Sequence, residues 1–92
     1  MLEDTNLLYS RADEVVETEV NGVVLLLHLG NWNYFEFNPI SSAIWSLLEK
    51  PASLDTIVTG LEQQFDVGRE QCLHDTRKFL DDLVADGIVT RA

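Results

Sequence analysis

The chain has 92 residues and a mass of 10.4 kDa, which is enough for one small domain and too little for a catalytic domain beside a regulatory one. Sixteen acidic residues against six Lys and Arg give a formal charge of −10, which opposes binding to the phosphates of nucleic acid. The single cysteine excludes an internal disulfide and a cysteine-rich zinc site. An acidic start and short apolar runs argue against a secretory signal or a membrane span, so we expect a cytoplasmic protein with no membrane partner.

The chain divides into a strand half and a helix half. We expect residues 1–12 to be a loosely ordered lead-in and residues 13–92 to form a single domain. Val and Thr alternate with Glu from position 15 to 20, which is typical of a strand with one buried face. The face predicted to be buried carries Val16, Thr18 and Val20.

The Asn-Gly pair at 21–22 is the strongest hairpin signal in the chain, because both residue types tolerate positive φ. It predicts that Val20 pairs with Val23. The apolar run 23–29 then predicts a central strand, and the aromatic run 32–37 predicts a third strand. Three strands joined by tight turns form an antiparallel meander, in which the third strand begins as an edge.

Three helices are predicted to follow. Asn38 is a suitable N-cap for a first helix that ends before Pro51, and Ser53 is a suitable N-cap for a second. A third helix spans residues 69–86, with Gly87 after its end. The order βββααα on one core predicts an α+β fold with the helices on one face of the sheet. The helical side chains assigned to the core are Trp45, Leu48, Leu61, Phe65, Leu80 and Leu83.

The residues that could carry catalysis are poorly arranged for it. Cys72 and His74 project about 200° apart on a helix, so they cannot form a nucleophile–base pair, and no spacing predicts a contact with His28. Asp81 and Asp82 also diverge, as acids on a solvated helix face do. The chain has no Gly-rich phosphate loop. We therefore predict that the protein is not an enzyme and has no metal site and no cofactor.

The aromatic third strand is the first feature that suggests binding. Alternation puts Trp32 and Tyr34 on one face of this strand and Phe35 and Phe37 on the other. The rings either cover the two faces of the sheet or line a groove at its margin.

The flank of the last helix is the second such feature. Beside the buried stripe, Cys72, Asp75, Phe79 and Asp82 follow at i, i+3 and i+4 spacing. A Phe between carboxylates suits the lip of a cleft, and the alternative is that Phe79 only widens the core stripe. If this helix packs along the third strand, an extended peptide could add to the strand edge in the cleft between them.

These residues resemble a known family. Residues 35–38 (FEFN) and 44–48 (IWSLL) are similar to the strand-to-helix signature of PqqD-like proteins, the recognition elements that bind the leaders of ribosomally made, post-translationally modified peptides. The resemblance runs from about residue 13 to 89. In the last helix and the apolar ending it rests on Asp75, Phe79, Leu80, Leu83, Gly87, Ile88 and Val89. Phe37 stands where the family usually has Leu, and Ser41 where it usually has Gly.

The resemblance implies a winged-helix-like fold without catalytic activity. Members bind the leader of a precursor peptide as an added strand against the third strand, beside the last helix, and present the peptide to a separate enzyme. This chain is most similar to the stand-alone proteins of lasso-peptide pathways, which work with a separate leader protease and a cyclase. The alternative is the PqqD type, which delivers its peptide to a radical-SAM enzyme.

The resemblance also assigns leader-binding residues. The docking edge, which acts mostly through backbone groups, comprises Asn33, Tyr34, Phe35 and Glu36. The walls of an apolar pocket are Phe79 and Cys72. The residues expected to pair with a basic or amide group of the leader are Asp75 and Asp82, and Lys78 is expected to hold an acidic one.

Two other functions compete with leader binding. Winged-helix proteins that bind DNA share the topology, but residues 69–86 carry three basic and five acidic side chains and therefore no basic face. The other alternative is a protein-interaction module that forms a homodimer through the edge of the third strand. The sequence leaves open which leader and which partner enzyme are bound, the affinity and the oligomeric state.

Overall fold

The computed structural model describes residues 7–92, which form two three-stranded antiparallel sheets and three helices. The strands are β1 (Leu8–Arg11), β2 (Val15–Val20), β3 (Val23–His28), β4 (Tyr34–Glu36), β5 (Ala52–Ser53) and β6 (Val89–Arg91). The helices are α1 (Pro39–Leu47), α2 (Leu54–Gln64) and α3 (Arg69–Ala85). The predicted α+β order of three antiparallel strands followed by three helices is confirmed by β2 to α3.

The first sheet is the predicted meander, in the order β2–β3–β4. Residues 21 and 22 both have positive φ, and Val20 pairs with Val23 as predicted. The third strand is shorter than the aromatic run suggested. Trp32 has a φ of 63° and donates its N–H to the His28 carbonyl at 2.7 Å, so it lies in the turn before β4. The strand therefore begins only at Tyr34.

The two faces of this sheet differ in burial. The inner face packs against the helices, and its Val24 and Leu26 are 4% and 1% exposed. The opposite face, which we call the outer face, is open to solvent. The outer face consists of Val16, Thr18, Val20, Val23, Leu25, Leu27, Tyr34 and Glu36.

The sequence predicted the alternation of β2 correctly, but the expected burial of its valine face is wrong, because residues 16–20 are all exposed. Val16 and Val20 are each 51% exposed, whereas Glu17 turns toward the helices. Its carboxylate accepts hydrogen bonds from the Trp45 indole N–H at 3.0 Å and from the Arg11 guanidinium at 2.8 Å. These two donors, which come from other elements, hold an acidic side chain on the inner side and leave valines outside.

The second sheet, in the order β5–β1–β6, is not predicted by the sequence. Its central strand lies in the segment expected to be a loose lead-in. That expectation is wrong for residues 8–11, because β1 pairs with β5 on one side and β6 on the other, and Tyr9 is only 1% exposed. Residues 1–6 of the same segment lie outside the described residues. The second sheet therefore holds residues 8–11 beside residues 89–91.

The helix ends follow the predicted caps. The Asn38 side chain accepts from the Ser41 N–H at 2.8 Å, and the Ser53 hydroxyl accepts from the Thr56 N–H at 3.2 Å. Gly87, with a φ of 78°, follows the end of α3. Among the residues assigned to the core, those that are buried are Trp45, Leu48, Leu61, Leu80 and Leu83. Phe65 is half-buried, packs against this core and also lines a cavity.

Candidate functional site

The open edge of β4 is the first part of the site. Within residues 7–92, β4 pairs only with β3. The Asn33 carbonyl accepts a hydrogen bond from the His28 N–H of β3, and the Phe37 N–H donates to the Val24 carbonyl of β3, each at 2.9 Å. Because backbone groups alternate in direction along a strand, the N–H and C=O groups of Tyr34 and Glu36 point away from β3. Each of these two residues therefore presents one donor and one acceptor at the edge.

A buried serine fixes this edge to the helices. The Ser42 hydroxyl accepts from the Val24 N–H at 3.1 Å and donates to the Phe37 carbonyl at 3.3 Å. The same side chain of α1 thus bonds β3 and the residue after β4. Sequence reasoning missed Ser42, because a small polar residue in a helix shows nothing of the strand groups it will meet.

A cavity of about 190 Å³ lies beside the edge, between the start of α1 and the middle of α3. Phe79 is half-buried at its wall, and its ring meets that of Phe37 edge to face, with centroids 5.4 Å apart. The cavity is lined by Asn38, Ile40, Ser41, Ile44, Asp75, Thr76 and Phe79. Phe79 therefore combines the two interpretations of the sequence, since it packs on the core and also lines the cleft.

A second cavity of about 270 Å³ adjoins the first and shares three of its lining residues, Ile40, Asp75 and Thr76. Cys72 is buried at its wall, with its Sγ 3.7 Å from the Thr76 hydroxyl. The remaining lining residues are Leu61, Phe65, Val67, Gly68 and Gln71. An apolar hollow with a few polar groups at its mouth suits apolar side chains of a ligand.

The charged residues predicted for the site separate into two groups. Asp75 lies where the two cavities meet, and its carboxylate accepts from the Gln71 side-chain amide at 2.9 Å. Lys78 and Asp82 instead pair with each other at 3.7 Å, with side chains 72% and 65% exposed. An exposed pair of this kind contributes little to stability, and it offers a ligand less charge than the separate side chains would.

The structure thus brings Cys72, Asp75 and Phe79 together around the joined cavities. The predicted edge residues lie at or just before β4, where Tyr34 and Glu36 are exposed and Phe35 is half-buried against the core. Sequence reasoning missed Ile40, Thr76 and Val67 as lining residues. Ile40 is 44% exposed in the first turn of α1. In the sequence, the only sign that it lines a cavity is its position at the end of the apolar stripe of this helix.

The residues considered for catalysis are kept apart. Cys72 contacts Thr76, while the His28 Nδ1 accepts from the N–H groups of Gly30 and Asn31 at 2.9 and 3.3 Å. The part of the chain from residue 7 to 92 contains no group of three or more His, Cys, Asp or Glu side chains that could hold a metal ion. In the same part, no helix is both long and apolar enough to cross a membrane.

The chain is similar to known proteins in both sequence and structure. The family described as PqqD, coenzyme PQQ synthesis protein D, matches residues 24–89. A solved structure described as TbiB1 in complex with the TbiA(beta) leader peptide is similar to this chain, with 33% sequence identity and a TM-score of 0.80. The match covers 87% of this chain and 93% of that one. No curated protein matches the chain.

Proposed function

Because this chain belongs to the PqqD family, we propose that it is a non-catalytic protein that binds the leader of a ribosomally made precursor peptide. The observation that carries the proposal is the likeness to TbiB1, a protein solved with a leader peptide bound, over 87% of this chain. The open edge of β4 and the apolar cavities beside it support the proposal, because an extended peptide needs both kinds of contact.

The leader binds as an added strand against β4. Its backbone pairs with the outward-pointing groups of Tyr34 and Glu36, and Asn33 and Phe35 complete the edge. Side chains that alternate along the added strand enter the joined cavities, where Phe79 and Cys72 supply apolar walls. At the junction of the cavities, Asp75 accepts from a basic or amide group of the leader. Lys78 and Asp82 lie at the margin of the binding site. A charged leader residue replaces one partner of their exposed ion pair there.

The bound peptide is presented to a separate modifying enzyme. The resemblance to stand-alone lasso-peptide recognition proteins favours a leader protease and cyclase as that enzyme. The second candidate is a radical-SAM enzyme, and the specific observation in its favour is the family's description as a coenzyme PQQ synthesis protein. In either pathway this protein supplies the binding and the enzyme supplies the chemistry.

The alternative of DNA binding is disfavoured by the charges of α3. Arg69, at the start of that helix, is bonded by Asp55 and Glu62, both on α2, so its charge is neutralised within the protein. Over residues 69–86 the acidic side chains outnumber the basic ones by five to three. Counterion release from DNA requires a basic face, which this helix lacks.

The first experiment measures leader binding directly. Fluorescently labelled peptides that match the leaders encoded beside this gene are titrated with the protein and followed by anisotropy, with the TbiA(beta) leader as a comparison peptide. We expect submicromolar binding by one encoded leader. Binding by none of them, together with a folded protein whose mass doubles with concentration, would favour a homodimer formed through the strand edge.

A second experiment tests the strand addition separately. Glu36→Pro removes an N–H that points away from β3, and an edge strand tolerates Pro at such a position. Glu36→Thr is the matched control, because it removes the carboxylate and keeps the N–H. We expect Glu36→Pro to weaken leader binding at least about fivefold, whereas Glu36→Thr changes it little. Equal affinities of two folded variants would mean that the leader binds without pairing to β4.

A further inference from the structure

The outer face of sheet β2–β3–β4 is an apolar surface that leader binding at the β4 edge does not use. In cross-strand register, Val16 lies opposite Leu27, and Leu27 lies opposite Tyr34, so one apolar row crosses all three strands. Val16 and Tyr34 are 51% and 62% exposed. The surface is concave, with a hollow of about 280 Å³ along this row.

This composition is unusual for a solvated sheet face. An antiparallel sheet with one face in water normally has polar residues on that face. Here the positions of the outer face on β3 are all aliphatic, and both ends of its β2 row are valines. Contiguous exposed apolar surface of this kind marks an interaction site. Polar residues on the outer face would not disturb the fold, because only the inner face of the sheet packs on the helices.

The charges around the outer face define what fits it. None of the eight residues of the outer face is Lys or Arg, one of them is Glu36, and the chain as a whole carries a formal charge of −10. A complementary partner therefore has an apolar centre bordered by Lys and Arg.

A second copy of the chain does not meet these requirements. Each copy carries a formal charge of −10, so two copies repel each other. Three strands of up to six residues cover about 300 Å², whereas a stable interface needs about 800 Å² from each partner. The outer face alone is too small for a stable dimer.

The position of the outer face identifies the partner. Tyr34 and Glu36 have side chains on the outer face and unpaired backbone groups at the β4 edge. A leader added to that edge continues the sheet, and every second leader side chain then extends the outer face. A protein seated there contacts the sheet and the bound peptide together, and an added strand of six residues widens the face by about 100 Å².

We propose that the outer face is the docking surface for the enzyme that modifies the bound peptide, and that this enzyme meets it with an apolar patch bordered by basic residues. The inference rests on the proposed function, since the partner is defined by its work on the same peptide. Docking on this face leaves the cavities beside α3 to the leader, so the protein holds peptide and enzyme at once.

The test uses Val16→Lys, which places a cation in the apolar row, with Leu8→Lys as matched control. Leu8 is 46% exposed on β1, in the other sheet, so it undergoes the same change away from the outer face. Both variants and the wild type are saturated with the encoded leader and titrated with the purified modifying enzyme encoded beside the gene. We expect Val16→Lys to weaken enzyme binding at least about tenfold and Leu8→Lys to leave it unchanged.

Anisotropy with the leader alone separates this inference from the proposed function. Leader affinity of Val16→Lys within about twofold of wild type, with enzyme binding lost, supports the docking surface. Failure of the wild type to bind leader contradicts the proposed function itself. If leader binds but the enzyme binds Val16→Lys as well as the wild type, or does not bind at all, the inference is wrong. A dimer of the wild type that Val16→Lys dissociates would assign the face to a second copy.

Discussion

Sheet β5–β1–β6 joins the beginning, the middle and the end of the chain, whereas sheet β2–β3–β4 joins consecutive segments through tight turns. The first has Tyr9 and Val89 each 1% exposed and contributes mainly to the core. The second has one buried face, one open face and an open edge. Burial on one face suffices to hold a meander in place, so its other surfaces are free for binding.

The difference suggests that stability and recognition are divided between the two sheets. Side chains of β1 should affect folding and leave leader binding intact, while those around β4 and α3 should affect binding beyond their effect on folding. Variants in which the free energy of unfolding and the leader affinity change independently test this division.

The largest effect is expected at the centre of the second sheet. Tyr9→Ala removes a buried aromatic ring and should lower the free energy of unfolding by about 3–5 kcal/mol, a large fraction of the stability of a small domain. Urea denaturation followed by circular dichroism measures it. Leu8→Ala, at the 46% exposed neighbour, is the control and should cost much less. Equal losses in the two variants would contradict the structural role of this sheet.

The next effect is expected in the cleft. Phe79→Ala removes the ring at the wall of the smaller cavity and should weaken leader binding by roughly 1–3 kcal/mol, as loss of an interface anchor does. Leu73→Ala is the control, since Leu73 is also half-buried on α3 but lines neither cavity. Anisotropy titrations and urea denaturation are made on both. A stability loss with unchanged leader affinity in Phe79→Ala would assign this ring to the core alone.

A smaller effect is expected where α1 meets the open sheet. Ser42→Ala leaves the buried N–H of Val24 without its acceptor and should lower the free energy of unfolding by about 1–2 kcal/mol. Hydrogen exchange should be faster at the Val24 amide. Ser46→Ala, at an exposed position of the same helix, should change neither quantity. If the two variants were alike, the link between α1 and the β4 edge would be unimportant.

The smallest effect is expected for the exposed pair on α3. Lys78→Ala should lower the free energy of unfolding by about 0.3–0.5 kcal/mol, because a solvated i, i+4 ion pair is worth little. High salt should remove even this difference from the wild type. A much larger loss would show that Lys78 supports the helix through something other than its pair with Asp82.

Much of the fold could be predicted because its signals are local. The Asn-Gly turn sets the register of Val20 and Val23, and Asn38 and Ser53 cap their helices with bonds to residues three positions on. For the site, helical spacing placed Cys72, Asp75 and Phe79 on one flank, and the structure brings them to the joined cavities. The family resemblance, and not the spacing, suggested what would bind there.

The order of β2, β3, β4 and the three helices, the turn and cap residues and the acidic character of the sheet half all follow from the amino-acid sequence, because each depends on neighbours in the chain. The tertiary structure decided which face of β2 turns toward the helices, since the 45% exposed Glu17 carboxylate accepts hydrogen bonds from Trp45 and Arg11 of distant elements. It also decided that residues 8–11 form a strand, because their partners β5 and β6 come from the middle and the end of the chain. Pairing between strands so far apart in the chain leaves no periodic pattern in the sequence. It is therefore defined only in the assembled tertiary structure.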